Sequence, residues 1–433
     1  MSTRRSARLA TVVLLLASTA WSPPANAVAP PPVDRTRLPA ATRPAPAAPT
    51  VQREVCTVPS RESGPPPTQL DGLDLPAVWA LTRGAGQRVA VIDTGVAAHR
   101  RLPGLVGGGD YVAGGDGTQD CDGHGTLVAG IIAATPDPVA DRFSGVAPQA
   151  TVIGIRQTSA RFGTAHGTGG VGDVDTLARA VRTAADLGAS VINISAVACR
   201  PEGAGLDDRA LGAALAYAVE VKNSVIVTAA GNSGAECGTD GPPIVTPAWY
   251  DDYVLTVGSV DAGGAPSAFT LPSAWVDVAA PGEAVLSLST VGDAMADTLD
   301  GAPIGGTSFA APVVSGLAAL IRSRHPDWTP RQVMDRITAT AHHPPGGRDD
   351  FVGAGVIDPL AAVSAAPASP PHRAPPPPTP TGPPAPAADT GSSGLRAAVA
   401  GIAGLLTLLA AVLIGRAVTA PGRRRGPTVP DPD

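Results

Sequence analysis

Residues 88–92, 151–155, 190–194 and 224–228 are short runs rich in Val and Ile, apolar at almost every position rather than at alternate ones. Runs of this length and texture suit strands buried on both faces, as in parallel sheets. Between and after them, residues 125–133, 173–187 and 207–222 carry Leu, Val and Ala at helical spacing. Strand and helix therefore alternate. That alternation predicts an α/β fold, a doubly wound and mostly parallel sheet with helices on both faces. Asp93, Asn193, Ser195 and Asn232 fall at or just beyond the carboxyl ends of the runs. In open α/β sheets that edge binds ligands, so the four are expected to share one cleft.

Both ends of the chain break this pattern. Arg4, Arg5 and Arg8 precede an apolar stretch over residues 9–20, and Ala25-Asn26-Ala27 supplies small residues at the positions a signal peptidase reads. Residues 1–27 are expected to be a signal peptide. Residues 28–69 are proline-rich and unpatterned, an extended arm rather than a packed domain. The folded domain is expected over 70–365 and a second proline-rich linker over 366–394. Residues 397–415 are apolar and uncharged, about 28 Å as a helix, which is enough to cross a hydrocarbon core. A transmembrane helix is expected over 395–417. Arg416 and Arg423-Arg424-Arg425 follow that run, whereas Asp389 and Arg396 precede it. The positive-inside rule then puts the tail, 418–433, in the cytoplasm and the domain outside the cell membrane.

The net charge of -6 and the single lysine, Lys222, leave no basic patch for a phosphate backbone, which excludes a nucleic-acid partner. Cys56, Cys121, Cys199 and Cys237 are an even number in a chain bound for an oxidising compartment, so two disulfides are expected. Three pairings are possible. The favoured one joins Cys56 to Cys121, tying the arm down, and Cys199 to Cys237, which bracket one region.

Three motifs carry chemistry: Val91-Ile92-Asp93-Thr94-Gly95, Asp122-Gly123-His124-Gly125-Thr126, and Gly305-Gly306-Thr307-Ser308-Phe309-Ala310-Ala311-Pro312. A serine hydroxyl is a weak nucleophile unless an imidazole takes its proton, and a carboxylate fixes that imidazole's tautomer. Singly, Asp93 reads as a helix or turn cap, His124 as a surface histidine and Ser308 as a helix-capping serine. In this order they supply a catalytic set, Asp93, His124 and Ser308. Ser308 is expected at the start of a helix whose free N–H groups can stabilise an oxyanion, with Pro312 tolerated in the first turn. Asn232, in Gly231-Asn232-Ser233-Gly234, adds a side-chain amide donor for the same oxyanion hole.

These segments resemble the subtilisin-like serine protease family, over roughly residues 70–360. The resemblance implies the roles just given, with Ser195-Ala196-Val197 pairing to an extended protein or peptide substrate and Gly231 bordering the P1 pocket. No Gly-x-Ser-x-Gly elbow surrounds Ser308, so lipase and esterase readings fall away. The whole layout, with signal peptide, arm, two disulfides, linker and one terminal helix, resembles the mycosins. Mycosins are membrane-anchored subtilases of actinobacterial type VII secretion systems, and the likeness implies partners among the membrane components of such a system. Leu127 replaces a histidine of many family members, the family's calcium sites are not traceable, and no cofactor or metal is expected. The arm is too short and irregular for a folded propeptide and is expected to stay attached. The function expected is a serine endopeptidase working through an acyl-enzyme on Ser308; the alternative is a structural part of the secretion complex.

Overall fold

The computed structural model describes residues 29–62, 68–201, 206–234, 237 and 243–364. The signal peptide, linker, membrane helix and tail expected from the sequence lie outside them, and among the described residues no helix is long and apolar enough to cross a membrane. In chain order the strands are β1 (Thr50–Gln52), β2 (Arg88–Asp93), β3 (Val106–Asp110), β4 (Thr151–Arg156), β5 (Phe162–Thr164), β6 (Val191–Ile194), β7 (Ala198–Pro201), β8 (Val225–Ala229), β9 (Pro243–Thr246), β10 (Leu255–Val260) and β11 (Val278–Pro281), followed by the two-residue strands β12 (Ser287–Leu288), β13 (Met295–Ala296), β14 (Thr298–Leu299) and β15 (Ala302–Pro303). The helices are α1 (Leu75–Trp79), α2 (His124–Ala133), α3 (Val174–Asp186), α4 (Arg209–Ala216), α5 (Thr307–Arg324), α6 (Pro330–Thr340) and α7 (Pro359–Ser364).

Seven strands form one parallel sheet in the order β11-β10-β8-β6-β2-β4-β3. Successive side chains of a strand point to opposite faces, and both faces here are covered. Val89, Val91, Val191, Val225 and Val227 pack with α2 and α5 on one side, while Ala90, Ile92, Ile192 and Ile226 pack with α3 and α4 on the other. The doubly wound arrangement is therefore present, with β6, β2 and β8 adjacent at its centre. α5 is buried along nearly its whole length, as a helix apolar on all sides must be. Gly316 lets it lie close to its neighbours, since a Cβ there would sit 2.6 Å from Val146 Cβ.

Several expectations need correction. β3, β10 and β11 are strands the pattern did not announce, because β3 reads Val-Gly-Gly-Gly-Asp and the other two mix Gly, Ser, Ala and Pro into the run. The stretch 207–222 is not one α-helix: α4 ends at Ala216 and a π-helical turn, Tyr217–Val221, follows. Around that turn the Tyr217 hydroxyl and the Lys222 ammonium both reach Asp186, at 2.6 and 2.8 Å. Pro312 is not in the first turn of its helix. α5 starts at Thr307, so the proline lies in the second turn, inside the helix.

The described residues of the arm lie along the domain. β1 pairs antiparallel with β5, Arg182 Nη1 donates to the Pro39 carbonyl at 2.8 Å, and Ser60 bridges Thr298 through both backbone groups. Disulfides join Cys56 to Cys121 and Cys199 to Cys237, the favoured pairing.

Candidate active site

Asp93 is the last residue of β2 and only 1% exposed. The chain can leave the strand sharply because Gly95 adopts φ 102°, where a Cβ would collide with the Gln119 carbonyl. Asp93 Oδ1 accepts the Thr94 N–H at 2.7 Å and lies 2.7 Å from His124 Nδ1. With the carboxylate ionised, Nδ1 carries the proton and Nε2 is left with its lone pair toward the cleft. The His124 ring packs on Phe309, centroid to centroid 4.9 Å.

A second carboxylate, which the sequence reading did not single out, holds this pair in place. Asp120 Oδ1 accepts from the Thr94 hydroxyl at 2.8 Å and from the N–H of Gly123 at 2.8 Å. Its Oδ2 accepts from the Thr126 N–H and hydroxyl, at 2.8 and 2.7 Å. The Thr94 hydroxyl in turn accepts the Gly125 N–H at 2.9 Å. Gly123, the residue capping α2, has no side chain to satisfy the helix's first N–H groups, and Asp120 does that work from outside the helix. Its signal was there to be found: an acidic residue just ahead of a helix that opens on histidine. Burial pushes the Asp120 carboxyl up to about 6, against the pull of its donors. For His124, burial pushes the imidazole pKa down, but the Asp93, Asp120 and Asp122 carboxylates outweigh it, and the net shift is upward.

The other half of the cleft is built without charge. Ser308 is the second residue of α5. Its N–H, in the first turn, has no partner among the described residues. Asn232 lies just past β8, and its Oδ1 accepts from the Thr307 N–H at 3.0 Å and hydroxyl at 3.1 Å, which turns the Nδ2 donors away from Thr307. The Thr307 hydroxyl also accepts the Gly231 N–H at 3.2 Å, so Gly231, Asn232 and the start of α5 move as one. Among the described residues, Ser308 Oγ does not bond His124; it donates to the Ser195 carbonyl at 3.1 Å. Apo sites commonly hold such bonds open until a substrate arrives. Ala196 and Val197 continue past β6 with backbone groups unpartnered among the described residues, an edge an extended peptide can pair with. Beside them, a Cβ at Gly231 would sit 3.5–3.6 Å from Cys237 Sγ and the side chains of Leu271 and Val245.

So one sheet edge gathers an imidazole with a free nitrogen, a serine hydroxyl at a helix start, two amide donors and an open strand. A model of the subtilase family matches residues 84–355. Mycosin-4 of Mycobacterium tuberculosis H37Rv is 62% identical over 387 residues, 84% of this chain and 85% of that protein. The chain belongs to the subtilase family, in its mycosin branch. This subtilase is similar in structure to the MycP3 protease from the type VII (ESX-3) secretion system, with TM-score 0.73 and 45% identity over 78% of this chain and 100% of that one. It is also similar to a chain of an intact ESX-5 inner membrane complex, with TM-score 0.74 and 40% identity over 90% of this chain and 100% of that one. As a subtilase of this branch it is a subtilisin-type serine protease, a hydrolase.

Proposed function

We propose that this subtilase cleaves peptide bonds through an acyl-enzyme on Ser308, and that it does so beside a type VII secretion complex. His124 Nε2 takes the proton of the Ser308 hydroxyl as that oxygen attacks the scissile carbonyl. The proton then passes from Nε2 to the leaving amine, and a water repeats the sequence to free the acid. Asp93 holds the imidazole in the required tautomer and stabilises its charged form. The oxyanion is received by Asn232 Nδ2 and the Ser308 N–H at the positive end of α5. Ser195, Ala196 and Val197 carry the substrate backbone as an added strand, and Gly231 borders the side chain on the acyl side of the cut.

The observation that carries this reading is the 2.7 Å contact between Asp93 and His124 in the cleft that also holds Ser308 and the Asn232 amide. Labelling of the purified full-length chain by a fluorophosphonate tests it. The reading predicts one adduct, lost in Ser308→Ala and in His124→Ala; a chain that never labels contradicts it.

The proposed setting rests on the ends of the sequence: export by residues 1–27, the protease domain over 70–365 on the extracytoplasmic side, and one helix over 395–417 in the cell membrane. The arm remains attached, fastened through Cys56–Cys121 and the Ser60–Thr298 bridge. A structural role is the second reading, favoured by the likeness to a chain of an inner membrane complex. Ser308→Ala separates the two in cells. Secretion that survives this substitution and fails on deletion of the gene assigns the structural role; secretion that fails in both assigns the proteolytic one.

A further inference from the structure

Pro312 lies four residues after Ser308 within α5. In an α-helix the carbonyl of Ser308 would accept the N–H of residue 312, and proline has none to give. That carbonyl is nevertheless partnered: Ser195 Oγ donates to it at 2.8 Å. The Ser195 hydroxyl is held in turn, since Asn193 Nδ2 donates to it at 2.9 Å and Asn193 Oδ1 accepts from Ser315 Oγ at 2.8 Å. Asn193 and Ser315 are fully buried and Ser195 nearly so. Three hydrogen bonds therefore run from the third turn of α5, through the end of β6, back to the nucleophile's own carbonyl.

We infer that the Ser195 side chain is a positioning residue for Ser308, replacing with a cross-link to β6 the helical bond that Pro312 withholds. This rests on the reading of Ser308 as nucleophile. An ordinary helix would hold that carbonyl along its own axis, leaving the first turn located only by helix packing. Here the first turn is fastened to the strand that carries the substrate. The Ser195 carbonyl meanwhile accepts the Ser308 hydroxyl at 3.1 Å, so the two residues are joined in both directions. Nucleophile and substrate strand are thereby registered to each other by side chain and backbone of one residue.

A proline-dependent cross-link makes a specific demand on paired substitutions. The measurement is the rate of fluorophosphonate labelling of the full-length chain as a function of probe concentration, which separates the limiting rate from the half-saturating concentration. Ser195→Ala is expected to lower the limiting rate about 10- to 100-fold, the scale of an ångström-sized misplacement, with a much smaller change in half-saturation. Ser195→Thr, which keeps the hydroxyl, recovers most of that loss. Pro312→Ala restores the missing N–H, so in its background Ser195→Ala should cost less than a third of what it costs alone. Strictly additive effects of the two substitutions overturn the inference, as does a Ser195→Ala chain that labels at the wild-type rate. Should Ser195→Ala not fold, Ser315→Ala unloads the far end of the same chain; a lowered limiting rate supports the inference and an unchanged one overturns it. A wild-type chain that never labels at Ser308 instead defeats the protease reading itself.

Discussion

The two halves of the cleft are held by different forces. Around Asp93 and His124 the fastening is ionic: Asp120 gathers donors from Thr94, Gly123 and Thr126, and Asp122 takes the Ser159 hydroxyl and the N–H of Ala160. Around Ser308 and Asn232 it is neutral, made of hydroxyls, amides and a proline-shaped gap in a helix. The division follows the chemistry proposed for each half. In the proposed mechanism His124 becomes a cation in the transition state, and nearby carboxylates favour that form; the serine half receives a developing oxyanion, and a carboxylate there would oppose it. Charge can hold the base but not the nucleophile.

If that division is right, substitutions in the halves differ in kind as well as size. Asp93→Asn reverses the tautomer of His124 and should lower kcat on a quenched peptide substrate about 10^4-fold. A loss below tenfold would mean that the carboxylate does not orient the base. Asn232→Ala removes one oxyanion donor and should lower kcat about 10^2- to 10^3-fold with little change in KM. A rise in KM alone would reassign Asn232 to substrate binding.

The pH profile sharpens the contrast. With His124 as the proposed base, activity needs neutral imidazole, and the net upward shift of His124 should place the acid limb of kcat/KM above the ordinary histidine value of 6.5. Asp122→Asn removes one negative charge that favours the imidazolium, so the limb should move to lower pH. Ser195→Ala, in the neutral half, should slow the reaction and leave the limb where it is. An Asp122→Asn profile that moves upward would contradict the electrostatic account.

The arm touches both halves, and its removal should cost least. Cys56 is joined to Cys121, three residues before His124, while Ser60 bridges Thr298, in the hairpin that leads to Ser308. Arg161 ties the same hairpin to the arm through Asp300, Thr57 and Glu54. Cys56→Ser with Cys121→Ser should lower stability by about 2 to 4 kcal/mol, read as a lower unfolding temperature, before labelling of Ser308 changes. Loss of labelling with no change in unfolding would make the disulfide part of the chemistry.

The ionic half was the more legible in sequence. Asp93 and His124 stand among residues that explain them, Thr94-Gly95 for the turn and Gly123 and Gly125 for the helix entry, and even Asp120 lies within the same stretch. The neutral half is assembled from β6, β8 and α5, whose contacts no local pattern announces. Ser308 and Asn232 could be named from their motifs, but the Ser195 cross-link could not. It depends on where α5 begins, and placing Pro312 one turn too early hid the carbonyl that its missing N–H leaves open. The sheet shows the same limit: β2, β4, β6 and β8 were visible because their runs are continuous, whereas β3 is mostly glycine and becomes a strand only by pairing with β4. The disulfides were narrowed by compartment and position, and the fold decided between the pairings.

Ser308 is the residue proposed to be acylated, and adduct mapping reads that most directly. The full-length chain, treated with a fluorophosphonate and digested, should carry the probe on the peptide containing Ser308, at a rate that falls as pH drops below the His124 limb. An adduct on another serine, or none on a folded chain, would contradict it.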